Sequence, residues 1–165
     1  MDNLVGDEIG LVHTVSSFLA LIFGTAVLIM KKGTAKHKKV GYAYVVSMVI
    51  LIITAFMVYR LFKGWGLFHY ATIVSLLTLI GGMIPIWTRK PANNWKSLHL
   101  AFMYWSVMGL YAAFIAEILT RIPQYIGEGI VSATSFYSMT GIAIFIVMGV
   151  AQVLFRKLKK RWEEI

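Results

Sequence analysis

The sequence predicts an all-α integral membrane protein: an up-down four-helix bundle with a fifth transmembrane helix, the N-terminus outside and the C-terminus cytoplasmic. Three observations predict it. Hydrophobic residues make up 59% of the 165 and charged residues only 14%, a balance far from that of soluble domains. Five stretches without a charge, 9–30, 40–59, 67–87, 97–116 and 129–155, apart from a leading histidine or Glu117 beside the fourth, are each long enough to cross a membrane, because a helix needs about 20 residues to span a hydrocarbon core. Basic residues cluster on alternate connections. Thirteen of the sixteen lie after the first apolar stretch (Lys31, Lys32, Lys36, Lys38, Lys39), after the third (Arg89, Lys90, Lys96) and in the tail (Arg156, Lys157, Lys159, Lys160, Arg161). Only Arg60, Lys63 and Arg121 fall on the other side. This is the positive-inside pattern, and it sets the orientation.

Each element follows from local features. A strand barrel would show shorter, alternating segments, so the spans are helices. The acidic start, MDNLVGDE, is unlike a cleaved signal, which would be basic. The first helix runs to Met30, where lysines begin. Gly64-Trp65-Gly66 predicts a tight outer turn between the second and third helices, and Arg89-Lys90-Pro91-Ala92-Asn93-Asn94 an inner turn between the third and fourth. Pro85 and Gly81-Gly82 predict a kink in the third. Pro123 and Gly127, in the connection 121–128, are expected to end the fourth. Short connections make consecutive helices antiparallel neighbours. The whole chain, 1–165, reads as one transmembrane domain of a bacterial inner membrane.

The net charge of +9 does not point to nucleic acid, since the cations are confined to helix ends; the partner implied is the lipid bilayer, whose anionic headgroups attract such segments. No cysteine is present, so disulfides and thiolate ligands are excluded. No Walker motif, nucleophile elbow, H-E-x-x-H or dinucleotide fingerprint occurs.

The chemistry resides in four histidines, each near the start of a different helix. Leu11-Val12-His13 opens the first and Leu67-Phe68-His69 the third, each followed by a glycine-bearing apolar run, a basic turn and a second histidine, His37 or His99. The two hairpins read as copies of one unit related by an axis along the membrane normal. In an up-down bundle the first and third helices are diagonal, as are the second and fourth. The pattern thus predicts an outer pair, His13/His69, and an inner pair, His37/His99, about 20 Å apart by helix rise. Diagonal imidazoles can ligate a b-type haem from opposite sides, and Gly41, one turn after His37, would let a flat macrocycle approach. The same residues also read as plain interfacial histidines with no cofactor, or as ligands of another metal or a quinone.

Glu117 follows His99 by five helical turns and shares its face. It reads as an i,i+4 salt bridge to Arg121, as a proton acceptor, or, with His13 and His69, as a third ligand for zinc or non-haem iron. Trp65, Trp87, Trp95, Tyr42 and Tyr59 fall at span ends as interface anchors.

On His13, the run His37-Lys38-Lys39-Val40-Gly41-Tyr42, His69, His99, and Glu117 with Arg121 and Pro123, the chain resembles a bacterial family of small membrane proteins known only as a domain of unknown function, over about residues 9–123. The alternating histidine order is also similar to the cytochrome b561 type over the first four helices. That resemblance implies His13/His69 and His37/His99 as haem ligand pairs and a transmembrane electron carrier, a membrane oxidoreductase. Two departures accompany it: the histidines sit close to helix ends, with His37 among lysines, and no ascorbate site is recognisable. The other readings are a metal-binding or proton-coupled protein using His13, His69 and Glu117, and a structural subunit of a larger membrane complex or homodimer.

Overall fold

The computed structural model describes residues 8–57, 65–125 and 132–163. Five helices account for nearly all of them: α1 (Glu8–Ile29), α2 (Ala35–Met57), α3 (Leu67–Thr88), α4 (Trp95–Tyr125) and α5 (Ala133–Glu163). All five are long and apolar enough to cross a membrane, and no strand occurs among the described residues. The chain divides into two compact units, Met1–Val107 and Met108–Ile165, with α4 supplying residues to both.

The first unit is a bundle of α1, α2, α3 and the first part of α4. Helix α1 packs along α2, and α2 also meets α3. Glycines make the remaining approaches. A Cβ on Gly24 of α1 would lie 3.0 Å from the Tyr44 ring of α2 and 3.1 Å from Val107 of α4. On α3, a Cβ at Gly81 would meet Phe102 at 2.8 Å, and one at Gly82 would overlap Met103, both residues of α4. Small residues of this kind let membrane helices approach where no water drives them together. Consecutive helices thus touch, α4 closes back on α1, and α2 and α4 meet across the middle. The centre of this unit is the buried pair Tyr44 and Ser106, whose hydroxyls are 2.8 Å apart, at 0% exposure for Tyr44 and 2% for Ser106.

Helix ends follow their capping chemistry. Thr34 caps α2, its Oγ1 accepting the His37 N–H at 3.1 Å and its carbonyl the Lys38 N–H. Helix α3 continues past Pro85 to Thr88 and ends on Arg89 in the left-handed region, whose N–H donates to the Pro85 carbonyl. The turn 89–94 then leads into α4, as the sequence predicts. The Arg89 guanidinium stacks over the Trp95 ring at 4.5 Å, with the Lys96 ammonium 5.8 Å from the same ring.

In the second unit, Ser132 caps α5 by accepting the Ser135 N–H on its hydroxyl and the Phe136 N–H on its carbonyl. At three ends the helices run beyond the apolar stretches. Helix α2 begins at Ala35, so His37 belongs to its first turn. Helix α4 is not ended by Pro123 but runs on to Tyr125; a proline in the last turn removes one backbone bond, which a helix of 31 residues tolerates. Helix α5 extends beyond 155 through the basic tail to Glu163. Tyr59, Arg60, Lys63, Gly64, Gly127 and the side chain of Arg121 lie outside the described residues, and with them the outer turn at Gly64 and the Glu117–Arg121 pair.

Candidate functional site

The four histidines lie within the first two turns of four helices, and their surroundings differ. His99 sits on the face of α4 that meets α3. Its Nδ1 is 2.8 Å from the Gly82 carbonyl. A carbonyl can only accept, so Nδ1 carries the proton and Nε2 keeps a lone pair. The bond also fixes the ring's orientation, as a backbone acceptor does for a metal-binding imidazole.

His37 lies level with His99. Tyr44 follows His37 by seven residues and Ser106 follows His99 by seven, so the two helix faces that meet at the Tyr44–Ser106 bond carry the two histidines about 10 Å nearer the helix starts. The rings lie within Coulombic range of each other, and the Lys32 ammonium lies within range of both. His37 Nδ1 is buried and has no hydrogen-bond partner among the described residues. Beside it, a Cβ on Gly41 would meet nothing within 4 Å, so one turn on from His37 the backbone faces open space.

Lys32 completes this end of the bundle. It lies in the link between α1 and α2, half-buried, and its Nζ donates to the carbonyls of Val27 at 2.6 Å and Leu28 at 2.8 Å. Those are orphan carbonyls at a helix C-terminus, where a cation is favoured. Burial nevertheless pulls its pKa down to about 8, because withdrawal from water disfavours the charged form.

The outer pair is built differently. His13 Nδ1 is 3.2 Å from Thr54 Oγ1 on α2, while that hydroxyl also reaches the Ile50 and Leu51 carbonyls at 2.9 and 3.0 Å. With the hydroxyl proton directed to these carbonyls, His13 donates from Nδ1, and its tautomer matches that of His99. His69 has the opposite one. The Gly66 N–H donates to His69 Nδ1 at 3.1 Å while the His69 N–H donates to the Gly66 carbonyl at 3.0 Å. The ring thus serves as the cap of α3, buried at 5% exposure and stacked obliquely on Trp65, with centroids 5.3 Å apart. A neutral imidazole accepting at Nδ1 is protonated at Nε2 and offers no lone pair there. His69 therefore does not fit as an iron ligand in this arrangement.

Glu117 lies in the second unit on the later part of α4, half-buried, its backbone carbonyl accepting from Thr120. Among the described residues no group of three or more His, Cys, Asp or Glu side chains is arranged to hold a metal ion.

Sequence reasoning missed Lys32, Thr54, Gly82, Tyr44 and Ser106. The repeated seven-residue spacing from histidine to hydroxyl was the signal available for the last two. The others needed the packing.

With this geometry defined, the class is that of a multi-pass membrane protein whose helices carry a polar site at one end. A family model described as Predicted membrane protein (DUF2306) matches residues 10–155, and the chain belongs to that family. The match extends the resemblance read from the sequence beyond residue 123 to residue 155, within α5. No curated protein and no solved structure matches the chain.

Proposed function

We propose that the protein is a membrane electron carrier whose site is the inner histidine pair, His37 and His99, holding one b-type haem at the lysine-rich end of the bundle, with the N-terminus outside and that end cytoplasmic. The observation that carries the reading is the fixed tautomer of His99. Its Nδ1–H is spent on the Gly82 carbonyl, which turns Nε2 into a ligand. The level partner His37, on the diagonal helix, and the open space beside Gly41 support it. Iron held in this way would supply one-electron chemistry at low coordination change. His37 and His99 would be the ligands, and Tyr44 with Ser106 would hold their helices in register. His69 has no part in the site, so the reading comprises one centre, not two.

The test is the absorption spectrum of the full chain, purified after expression with ample haem. A Soret band is expected. It should disappear in His37→Ala and in His99→Ala and persist in His69→Ala and His13→Ala. A chain without a Soret band, or four variants that behave alike, would overturn the proposal.

A further inference from the structure

The surface of the first unit carries a second polar feature, where α3 ends and α4 begins. Trp95 opens α4, and two cations converge on its indole. The Arg89 guanidinium lies 4.5 Å from the ring centroid and the Lys96 ammonium 5.8 Å. A tryptophan ring attracts each of them, but it does not cancel the repulsion between two like charges. The neighbouring sequence supplies no acid to do so: not one Asp or Glu occurs from Ile9 to Ala116. Both residues are exposed, and among the described residues neither charged head has a hydrogen bond or an ion pair. Arg89 also stands where its backbone is least at ease. Its φ of 57° and ψ of 27° place it in the left-handed region, which glycine enters freely and a residue with a Cβ does not. A glycine would end α3 with less strain, so the side chain is what the position keeps. Below the two cations the surface turns apolar. Leu77, Ile80, Ile84 and Trp87 recur three and four residues apart along α3, and all are exposed. Trp87, at 64% exposure, ends this stripe at the height of a membrane interface.

We infer that Arg89 and Lys96, organised by the Trp95 ring, bind the phosphodiester headgroup of an anionic phospholipid. The planar guanidinium offers paired N–H donors to two phosphate oxygens. Lys96 adds the second charge, and the indole keeps both heads at headgroup height. An anion held by both cations removes the repulsion that the ring leaves in place. Along the stripe of Leu77, Ile80 and Ile84 the acyl chains find their apolar contact. A free phosphate would meet the same donors and leave that stripe unused, so the lipid is the occupant. Other lysines at this end, Lys36 among them, attract anionic lipid only as part of a diffuse basic surface. The site does not depend on the haem reading, whose ligands are His37 and His99.

The experiment is native mass spectrometry of the full chain released from detergent micelles. It is titrated with phosphatidylglycerol, or with phosphatidylcholine carrying the same acyl chains. The first phosphatidylglycerol should bind about tenfold tighter than the first phosphatidylcholine, as expected of a charge-assisted contact that only the anionic lipid leaves uncompensated. Arg89→Gln and Lys96→Gln should each weaken that step about fivefold or more, and Lys36→Gln should leave it unchanged. Arg89→Gly separates binding from folding. It relieves the left-handed backbone, so its thermal midpoint should be no lower than that of the wild type, while its preference for phosphatidylglycerol falls as in Arg89→Gln. Equal binding of the two lipids would overturn the inference. So would an equal loss in Lys36→Gln and Arg89→Gln, which would assign the effect to the basic end as a whole. Wild-type binding in Arg89→Gly would remove Arg89 from the site. Inorganic phosphate added in millimolar excess should not displace the lipid, and displacement would overturn the lipid as occupant in favour of a free oxyanion.

Discussion

At the scale of single residues, the histidines differ by which ring nitrogen is engaged. His69 acts through Nδ1 as a helix cap, so His69→Ala should cost about 1 kcal/mol, the usual value of a lost cap, measured as a lower thermal midpoint in detergent. Lys32 gives a pH dependence whose sign is fixed. Its folded pKa is lowered from 10.5 to about 8. Below pH 8 the lysine is charged in both folded and unfolded chains, and the full cost of burying the charge is present. As pH rises from about 8 towards 10.5 the folded chain releases its proton first, so that cost is relieved and stability increases. Thermal midpoints across this window should climb in the wild type and climb less in Lys32→Gln. That each of the first four helices carries a histidine near its start was legible in the sequence. Which ring nitrogen each histidine engages was not, because the answer lies in two hydrogen bonds, one donated by the Gly66 N–H to His69 Nδ1 and one donated by His99 Nδ1 to the Gly82 carbonyl, and neither backbone partner has a signature in the pattern of apolar residues.

At the scale of elements, the contacts rank the glycines. Gly24→Ala would press a methyl against the buried Tyr44 ring, which is pinned by Ser106. Overpacking of this sort costs about 1–3 kcal/mol. Gly81→Ala meets Phe102, which is 38% exposed and can swing outward, so a smaller loss is expected. Gly41→Ala and Gly109→Ala meet nothing and should be neutral or gain up to about 1 kcal/mol from helix propensity. Unfolding in detergent of these four variants checks the order, and a Gly41→Ala loss as large as that of Gly24→Ala would contradict it. The helices themselves were readable from charge-free length, since the hydrocarbon core demands it. Their ends were read less well: α2 starts five residues before Val40 and α4 passes Pro123, because capping by Thr34 and the tolerance of a last-turn proline are decided by backbone bonds rather than by hydropathy.

At the scale of the whole molecule, the distribution of cations predicts which side each connection faces. The chain has no cysteine, so single cysteines can be introduced freely. Lys36→Cys and Lys159→Cys should react with an impermeant maleimide only after the inner face is opened, and Trp65→Cys in intact cells; the reverse pattern would invert the orientation. That consecutive helices of the first unit pack together was legible from the short connections, and the buried hydrogen bond between Tyr44 and Ser106 was not. The long α5 has a consequence of its own. Its 31 residues measure about 46 Å at the rise of an α-helix, well beyond a hydrocarbon core of roughly 30 Å, with the excess on the side of Arg156, Lys157 and Lys159. The helix is therefore a ruler graduated in depth: nitroxides placed one at a time along it should lose accessibility to oxygen and gain accessibility to a nickel chelate at a single position near Phe155, marking the height of the lipid carbonyls on that side.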